Sequence, residues 1–315
     1  MNELDLIRSF RADVPGPSAA ATARADRAWR RTTRRRVSRW APRVAAATAA
    51  VAAVAAAALI VPSGDEGRLG AHSAEAAQTL RHAAAEVRGL PRPLKPGEYW
   101  YVRSTTRWTT GVEGTAGAYT AIGLETREEW IAPDGSRRWI TRQVGPLGFP
   151  SARDRERWEA DGRPDLMPSS PSEDRTRTGF HIGTRKHSYR QLLALPRDPR
   201  ILYERFHDAA VECQCGNGVD DQTFVVAIEL LRTTPLPDDL RAAILRAIAL
   251  IPGIEQHAER DVLGRPGVSV AYNGSQGRQA LIFDPSTYEM LGDRSGAGGT
   301  ADIESGIVDS MTERP

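Results

Sequence analysis

The sequence predicts an α+β chain built as a single transmembrane helix followed by an extracytoplasmic domain in which an antiparallel sheet packs against helices. Three observations lead there. An unbroken apolar run covers 44–61 behind a cluster of arginines, strand-like runs occupy both flanks of the remaining chain, and helical patterns fill its middle. Strands, then helices, then strands favour an antiparallel sheet with helices gathered on one face.

Charge is divided along the chain. Of the 315 residues, 1–43 hold eleven Arg against four acidic residues, a net of +7, which leaves about −5 for the rest within the overall +2. The two cysteines, Cys213 and Cys215, exclude a disulfide-dense scaffold and a multi-cysteine zinc domain, so the fold must rest on its apolar core.

Val44 to Val61 is eighteen residues of Ala, Val, Leu, Ile and one Thr, at the lower end of what spans a bilayer. Eleven are Ala, and the six larger residues contribute only roughly −2 to −3.5 kcal/mol on the insertion scale. The flanks add more. Arg30, Arg31, Arg34, Arg35, Arg36, Arg39 and Arg43 crowd one side and Asp65 and Glu66 follow the other, so the positive-inside rule places the N-terminus in the cytoplasm and the C-terminal domain outside. A cleaved signal peptide is the rival reading, but its basic region is never this long. A soluble helix requires a polar face, which five turns of this segment lack.

In the tail, residues 1–43, Leu4, Ile7 and Phe10 mark one side of a short helix that Pro15, Gly16 and Pro17 end. So short an apolar stripe needs a partner to bury it. The arginines set topology and touch anionic headgroups, against the sharper reading that they bind nucleic acid or an acidic protein surface, and no direct nucleic-acid binding is expected of them. The tail has no His or Cys, so any hold on a regulator is not through a zinc site.

A linker is expected over 62–71 and the outer domain over 72–295. Its first helix is read from His72 to Arg88, where Ala76, Ala77, Leu80, Ala84 and Val87 recur at helical spacing before Gly89 and Pro91. GEYWYVRSTTRW, TAIGLETREEWIA and SRRWITRQV alternate as strands, the last two joined by Pro133-Asp134-Gly135 as a hairpin in which Trp130 and Trp139 flank the turn and meet or cover an edge. Residues 145–185 read as an irregular excursion. Helices are predicted over Tyr189–Leu195, Pro199–Val211 and TFVVAIELLR, and after Pro237, with Leu240, Ile244, Ile248 and Ile251 turned inward. An antiparallel meander follows, with turns at Gly264-Arg265-Pro266-Gly267, Asn273-Gly274 and Asp284-Pro285-Ser286. Residues 296–315 read as a flexible C-terminal tail.

Chemistry is sparse. No nucleophile elbow, phosphate loop, HExxH or recognisable carboxylate pairing occurs, so no catalytic residue and no cofactor is assigned and the chain is not read as an enzyme. His207 with Cys213 and Cys215 lacks a fourth ligand, so no metal is assigned either. The two cysteines are a candidate disulfide. Trp100, Trp108, Trp130 and Trp139 are the candidate lining of a groove for an apolar ligand, against the plainer reading that they pack the sheet.

The segments RSFRADVPGPS, LPRPLKPGEYWYVRS, LPDDLRAAILRAIALIPGI, DVLGRPGVSVAY and LIFDPSTYEMLG together resemble a family of actinobacterial single-pass membrane-anchored proteins, often encoded beside extracytoplasmic-function sigma factors. The resemblance spans nearly the whole chain and implies topology and genomic company, with no catalytic residues to carry over. With it, the sequence predicts an envelope sensor or regulator at the cell membrane that acts through its tail on a sigma factor or other cytoplasmic regulator. The alternative is a membrane-tethered carrier or chaperone that binds a lipid or apolar ligand in the outer domain.

Overall fold

Alternation in the strand-like runs and helical spacing between them produce one large antiparallel sheet with helices against one face. A computed structural model describes residues 65–166, 172–177, 179–213, 218–275 and 277–315. The basic tail, the apolar run 44–61 and Cys215 lie outside these. Among the described residues no helix is long and apolar enough to cross a membrane.

Strands β1 (Tyr99–Gly114), β2 (Gly117–Ile131), β3 (Ser136–Gln143) and β4 (Ser172–Arg177) follow one another across one half of the sheet. Strands β7 (Glu255–Arg260), β8 (Pro266–Gly274), β9 (Gly277–Phe283), β10 (Met290–Ser295) and β11 (Gly298–Val308) do so across the other. The halves join where β1 pairs with β11, from Tyr99↔Val308 to Arg107↔Gly299, which gives the order β4-β3-β2-β1-β11-β10-β9-β8-β7. A separate hairpin, β5 (Phe180–Ile182) and β6 (Arg185–His187), leads into the helices.

The helices are α1 (Asp65–Ala85), α2 (Ala152–Ala160), α3 (Tyr189–Leu193), α4 (Pro199–Cys213), α5 (Val219–Thr233) and α6 (Asp238–Ile248). In α6 the apolar residues Leu240, Ile244 and Ile248 recur every fourth position and are fully buried, and Asp238 and Asp239 sit in the first turn, where the helix dipole favours them. Phe224, Ile228 and Leu231 of α5 and Leu202 and Phe206 of α4 join the same cluster, which meets Trp100, Val270, Leu281 and Phe283 from the sheet. Each such side chain taken from water contributes about 1.5–3 kcal/mol, so the helix-facing core carries the domain.

The opposite face has a smaller cluster of Tyr101, Trp130, Ile140 and Val308. The chain end covers it. Trp130 Nε1 donates to the Glu313 carbonyl at 2.6 Å. Glu128 accepts from Arg314 Nε at 2.5 Å, Arg142 Nη1 at 2.7 Å and the Tyr101 hydroxyl at 2.9 Å. Arg138 lies over the Trp130 ring at 4.8 Å and pairs with Glu173 at 2.9 Å.

Several expectations change. The reading of 296–315 as a flexible tail is corrected, because 298–308 is the central strand β11 and the last residues cap the outer cluster. Glycine there permits close packing, since a Cβ on Gly299 would fall 2.5 Å from the Asp293 carbonyl oxygen. The first helix reaches back to Asp65, into the expected linker, and ends at Ala85 rather than Arg88. The excursion at 145–185 contains α2, β4, β5 and β6. No residue of α2 is buried, so it left no apolar pattern. It is held instead by carboxylates, Asp154 accepting from the Thr120 amide at 2.9 Å and Asp161 from the Thr115 amide at 2.8 Å. The β2–β3 hairpin forms as expected, but Trp130 faces Arg138 across it and Trp139 faces Glu129, so the two indoles lie on opposite faces and do not meet.

Glu128 gives a measurable consequence. Arg314, with Arg142 and Tyr101, holds its carboxyl at about 2, below the usual carboxylate range. A carboxyl depressed on folding contributes stability in full above its unfolded value near 4.5, and loses it as pH falls toward 2. Glu128→Gln is expected to lower unfolding stability by about 2 kcal/mol at pH 7 in urea titrations, with the difference from wild type shrinking below pH ~4.5.

Candidate functional site

The pairing register lays the helix-facing side chains out in rows. Arg137, Ile131, Trp100 and Ile307 form one row, and Trp139, Glu129, Val102 and Ser305 the next. Beyond them come Thr141, Arg127, Ser104 and Asp302, then Gln143, Glu125, Thr106, Thr300 and Asp293. The face therefore passes from largely apolar to charged within four rows. A register shift in the β1–β11 pairing after Arg103 skips Ile303 and brings Asp302 opposite Ser104.

Where the rows become charged, sheet and helices part around a cavity of about 810 Å³. Its sheet side offers Ser104, Thr106, Glu125, Arg127, Asp293 and Asp302. Its helix side offers Ala83 and Val87 near the end of α1, Arg232 to Thr234 at the end of α5, and Arg241 and Leu245 from α6. Tyr288 lines it as well, with φ at +56° and its ring edge-on to His82 at 4.9 Å. So positive a φ is costly for a residue with a bulky side chain.

Two pairs of opposite charge behave differently here. Arg232 Nε meets Asp293 at 2.8 Å, a closed ion pair. Arg241 and Asp302 also feel one another, yet form no hydrogen bond or ion pair with each other. Arg241 Nη1 donates instead to the Leu231 carbonyl at 3.0 Å, and the Asp302 backbone carbonyl, not its carboxylate, accepts from Arg265 Nη2 at 3.0 Å. Burial pushes the Asp302 carboxyl up to about 6, against the opposing pull of Arg241, and pushes the Arg241 guanidinium down. Burial also raises Glu125, with Arg127 opposing. The Thr234 hydroxyl is buried without a hydrogen-bond partner, as are the Nε atoms of Arg127 and Arg137.

Beside this cavity an open cleft of about 1020 Å³ is lined by Leu94, Tyr99, Ala132, Pro133, Leu193 and Met311 among others. Arg137 lines both spaces. It spans the gap between sheet and helices, with Nη1 on Glu129 at 3.0 Å and Nη2 on the Thr233 carbonyl at 2.6 Å.

The four tryptophans do not make one groove. Trp130 is buried on the far face, and Trp100 belongs to the helix-facing core. Trp139 and Trp108 share the helix-facing side, but two rows of pairing separate them. The Trp139 ring is covered by the Arg127 guanidinium at 4.9 Å, and Trp108 lies so close over Gly123 that a Cβ there would fall 2.1 Å from its ring. Cys213 ends α4 and is disulfide-bonded. The arginine cluster from Arg30 to Arg43 lies outside the described residues. Among the described residues no group of three or more His, Cys, Asp or Glu is placed to hold a metal ion.

Sequence reasoning missed the cavity's charges. Arg241 follows the buried Leu240 in a helix read only for its inward apolar face, and Asp302 sits in the stretch read as a tail. A charge beside an apolar stripe was the one signal available, and for Asp302 there was none. No protein-family model matches the chain, and no curated protein shows significant similarity to it.

A carboxyl whose value is raised on folding costs stability once it is ionised. That cost is absent well below its unfolded value of 3.8 and grows as pH rises through about 6. Asp302→Asn is therefore expected to unfold with a stability about 1–2 kcal/mol above wild type at pH 7, with the advantage gone near pH 4. Paired thermal or urea melts across that range read it directly.

Proposed function

We propose that this chain is a membrane-anchored sensor whose outer α+β domain binds a small polar molecule between sheet and helices, and whose tail carries the bound state to a cytoplasmic regulator such as a sigma factor. The observation that supports the binding role is the cavity of about 810 Å³ lined by Arg232, Arg241, Asp293 and Asp302. Ligand sites are concave, of this size, and carry a few placed polar groups. Partly buried charges such as Arg241 and Asp302 that do not close on one another are costly to keep for architecture alone. Support for the anchor and its orientation comes from the run 44–61 and the arginines before it. The proposal assigns no catalytic step.

A second reading, a tethered carrier for a lipid or apolar ligand, draws on the cleft around Leu94, Tyr99, Leu193 and Met311. The tail separates the two. Full-length protein solubilised from its native host is compared with a version lacking residues 1–28 but keeping the flanking arginines. A regulator that co-purifies with the intact tail alone is the expected result, whereas equal, regulator-free recoveries would leave the sensor without an output and favour the carrier.

A further inference from the structure

The open pair in the cavity identifies a class of ligand, an inference that rests on the binding role proposed above. Two opposite charges brought near each other inside a protein attract by roughly 4 kcal/mol at 4 Å for an effective dielectric of 20. One row away, Arg232 and Asp293 close such a pair at 2.8 Å. Arg241 and Asp302 stay apart because each is fixed by other bonds. The arginine is tied to the end of α5 through the Leu231 carbonyl. The aspartate is set by the irregular β1–β11 register and by Arg265 on its own backbone.

We propose that the cavity binds a small zwitterion, with its anionic group on the Arg241 guanidinium and its cationic group on the Asp302 carboxylate. The charge balance selects this class. A purely anionic ligand at Arg241 meets the unpaired Asp302, and a purely cationic one at Asp302 meets the unpaired Arg241. A molecule with both charges satisfies both and leaves neither unpaired. The Thr234 hydroxyl, 3 % exposed, lines the same cavity without a hydrogen-bond partner and is available to a neutral polar part of the ligand. Of the other charges that reach the pair, Arg265 is bonded to Asp261 and to backbone carbonyls, Arg232 to Asp293, and Glu304 to Arg103 at 3.2 Å. Asp238 of α6 is a second carboxylate whose field Arg241 feels, without an ion pair between them.

The test uses full-length protein in detergent and isothermal titration at pH 7. The probes are tri-alanine, the same peptide acetylated at its N-terminus, amidated at its C-terminus, or both, and glycine betaine. At least one zwitterion is expected to bind, and each block on the peptide, or loss of one charge, to weaken binding about tenfold or more, equivalent to about 1.4 kcal/mol. Asp302→Asn is expected to weaken the free peptide and to leave the acetylated one unchanged, and Arg241→Met to weaken the free peptide and to leave the amidated one unchanged. Melting curves confirm that both variants fold. Should Arg241→Met fail to fold, the Asp302→Asn comparison decides alone. Binding by betaine alone assigns the site to quaternary ammonium compounds, and by the peptide alone to amino-acid-like ones.

Blocked and free peptides binding equally, or Asp302→Asn without effect on the free peptide, would overturn the zwitterion while leaving a binding cavity. Failure of every probe, charged or blocked, would remove the binding role with it.

Discussion

The pairing of β1 with β11 is the constraint on which the rest depends. It brings together strands some two hundred residues apart and turns two separate meanders into one nine-stranded sheet. The helical layer packs on both halves. The core cluster takes Trp100 and Ile131 from one half and Val270, Leu281 and Phe283 from the other. Closing so long a loop is entropically costly before any contact rewards it. The reward comes on both faces, as the helix-facing core and as the outer cluster around Trp130, which Glu313 and Arg314 complete from the chain end.

The same pairing makes the cavity. Its central rows hold Ser104 and Thr106 from β1 and Thr300 and Asp302 from β11, just where the helices no longer cover the sheet with apolar side chains. Polar residues there cost little only while something polar occupies the space above them. Arg232 and Asp293 meet that need by pairing with each other. Arg241 and Asp302 do not, and the raised value of the Asp302 carboxyl is the electrostatic mark of a group held in place against its own preference. A site that keeps such groups preorganised has already borne the cost of placing them, which leaves more of the contact energy to a ligand.

Arg137 connects this site to the outside. It stands between the open cleft and the inner cavity, bonded to both layers through Glu129 and Thr233. Its position follows from the β2–β3 register, where it faces Ile131 on the helix-facing side. A one-residue slip would exchange it with Arg138, which serves the opposite face over Trp130. Adjacent arginines thus have different work, one at the cavity wall and one in the outer cluster.

The sequence by itself determined the α+β class, the β2–β3 hairpin, the existence of α4, α5 and α6, and the inward faces of the last two. Those properties come from period and turn chemistry within short windows, such as Leu240, Ile244 and Ile248 after Pro237, or Pro133-Asp134-Gly135 between two alternating runs. Tertiary structure alone decided the rest. Residues 298–308 became the central strand because of what lies on either side of them, since three glycines break up the strand signal of Thr300, Ile303, Ile307 and Val308. Helix α2 is held by its own Asp154 and its C-cap Asp161, which accept from amides of the β1–β2 hairpin, with no buried stripe to read. Arg241 and Asp302 are sixty-one positions apart in the sequence, and only the fold turns them into one cavity. Local pattern reports what a segment buries, whereas a site is made by charges from distant segments, and their meeting is a property of the register between strands.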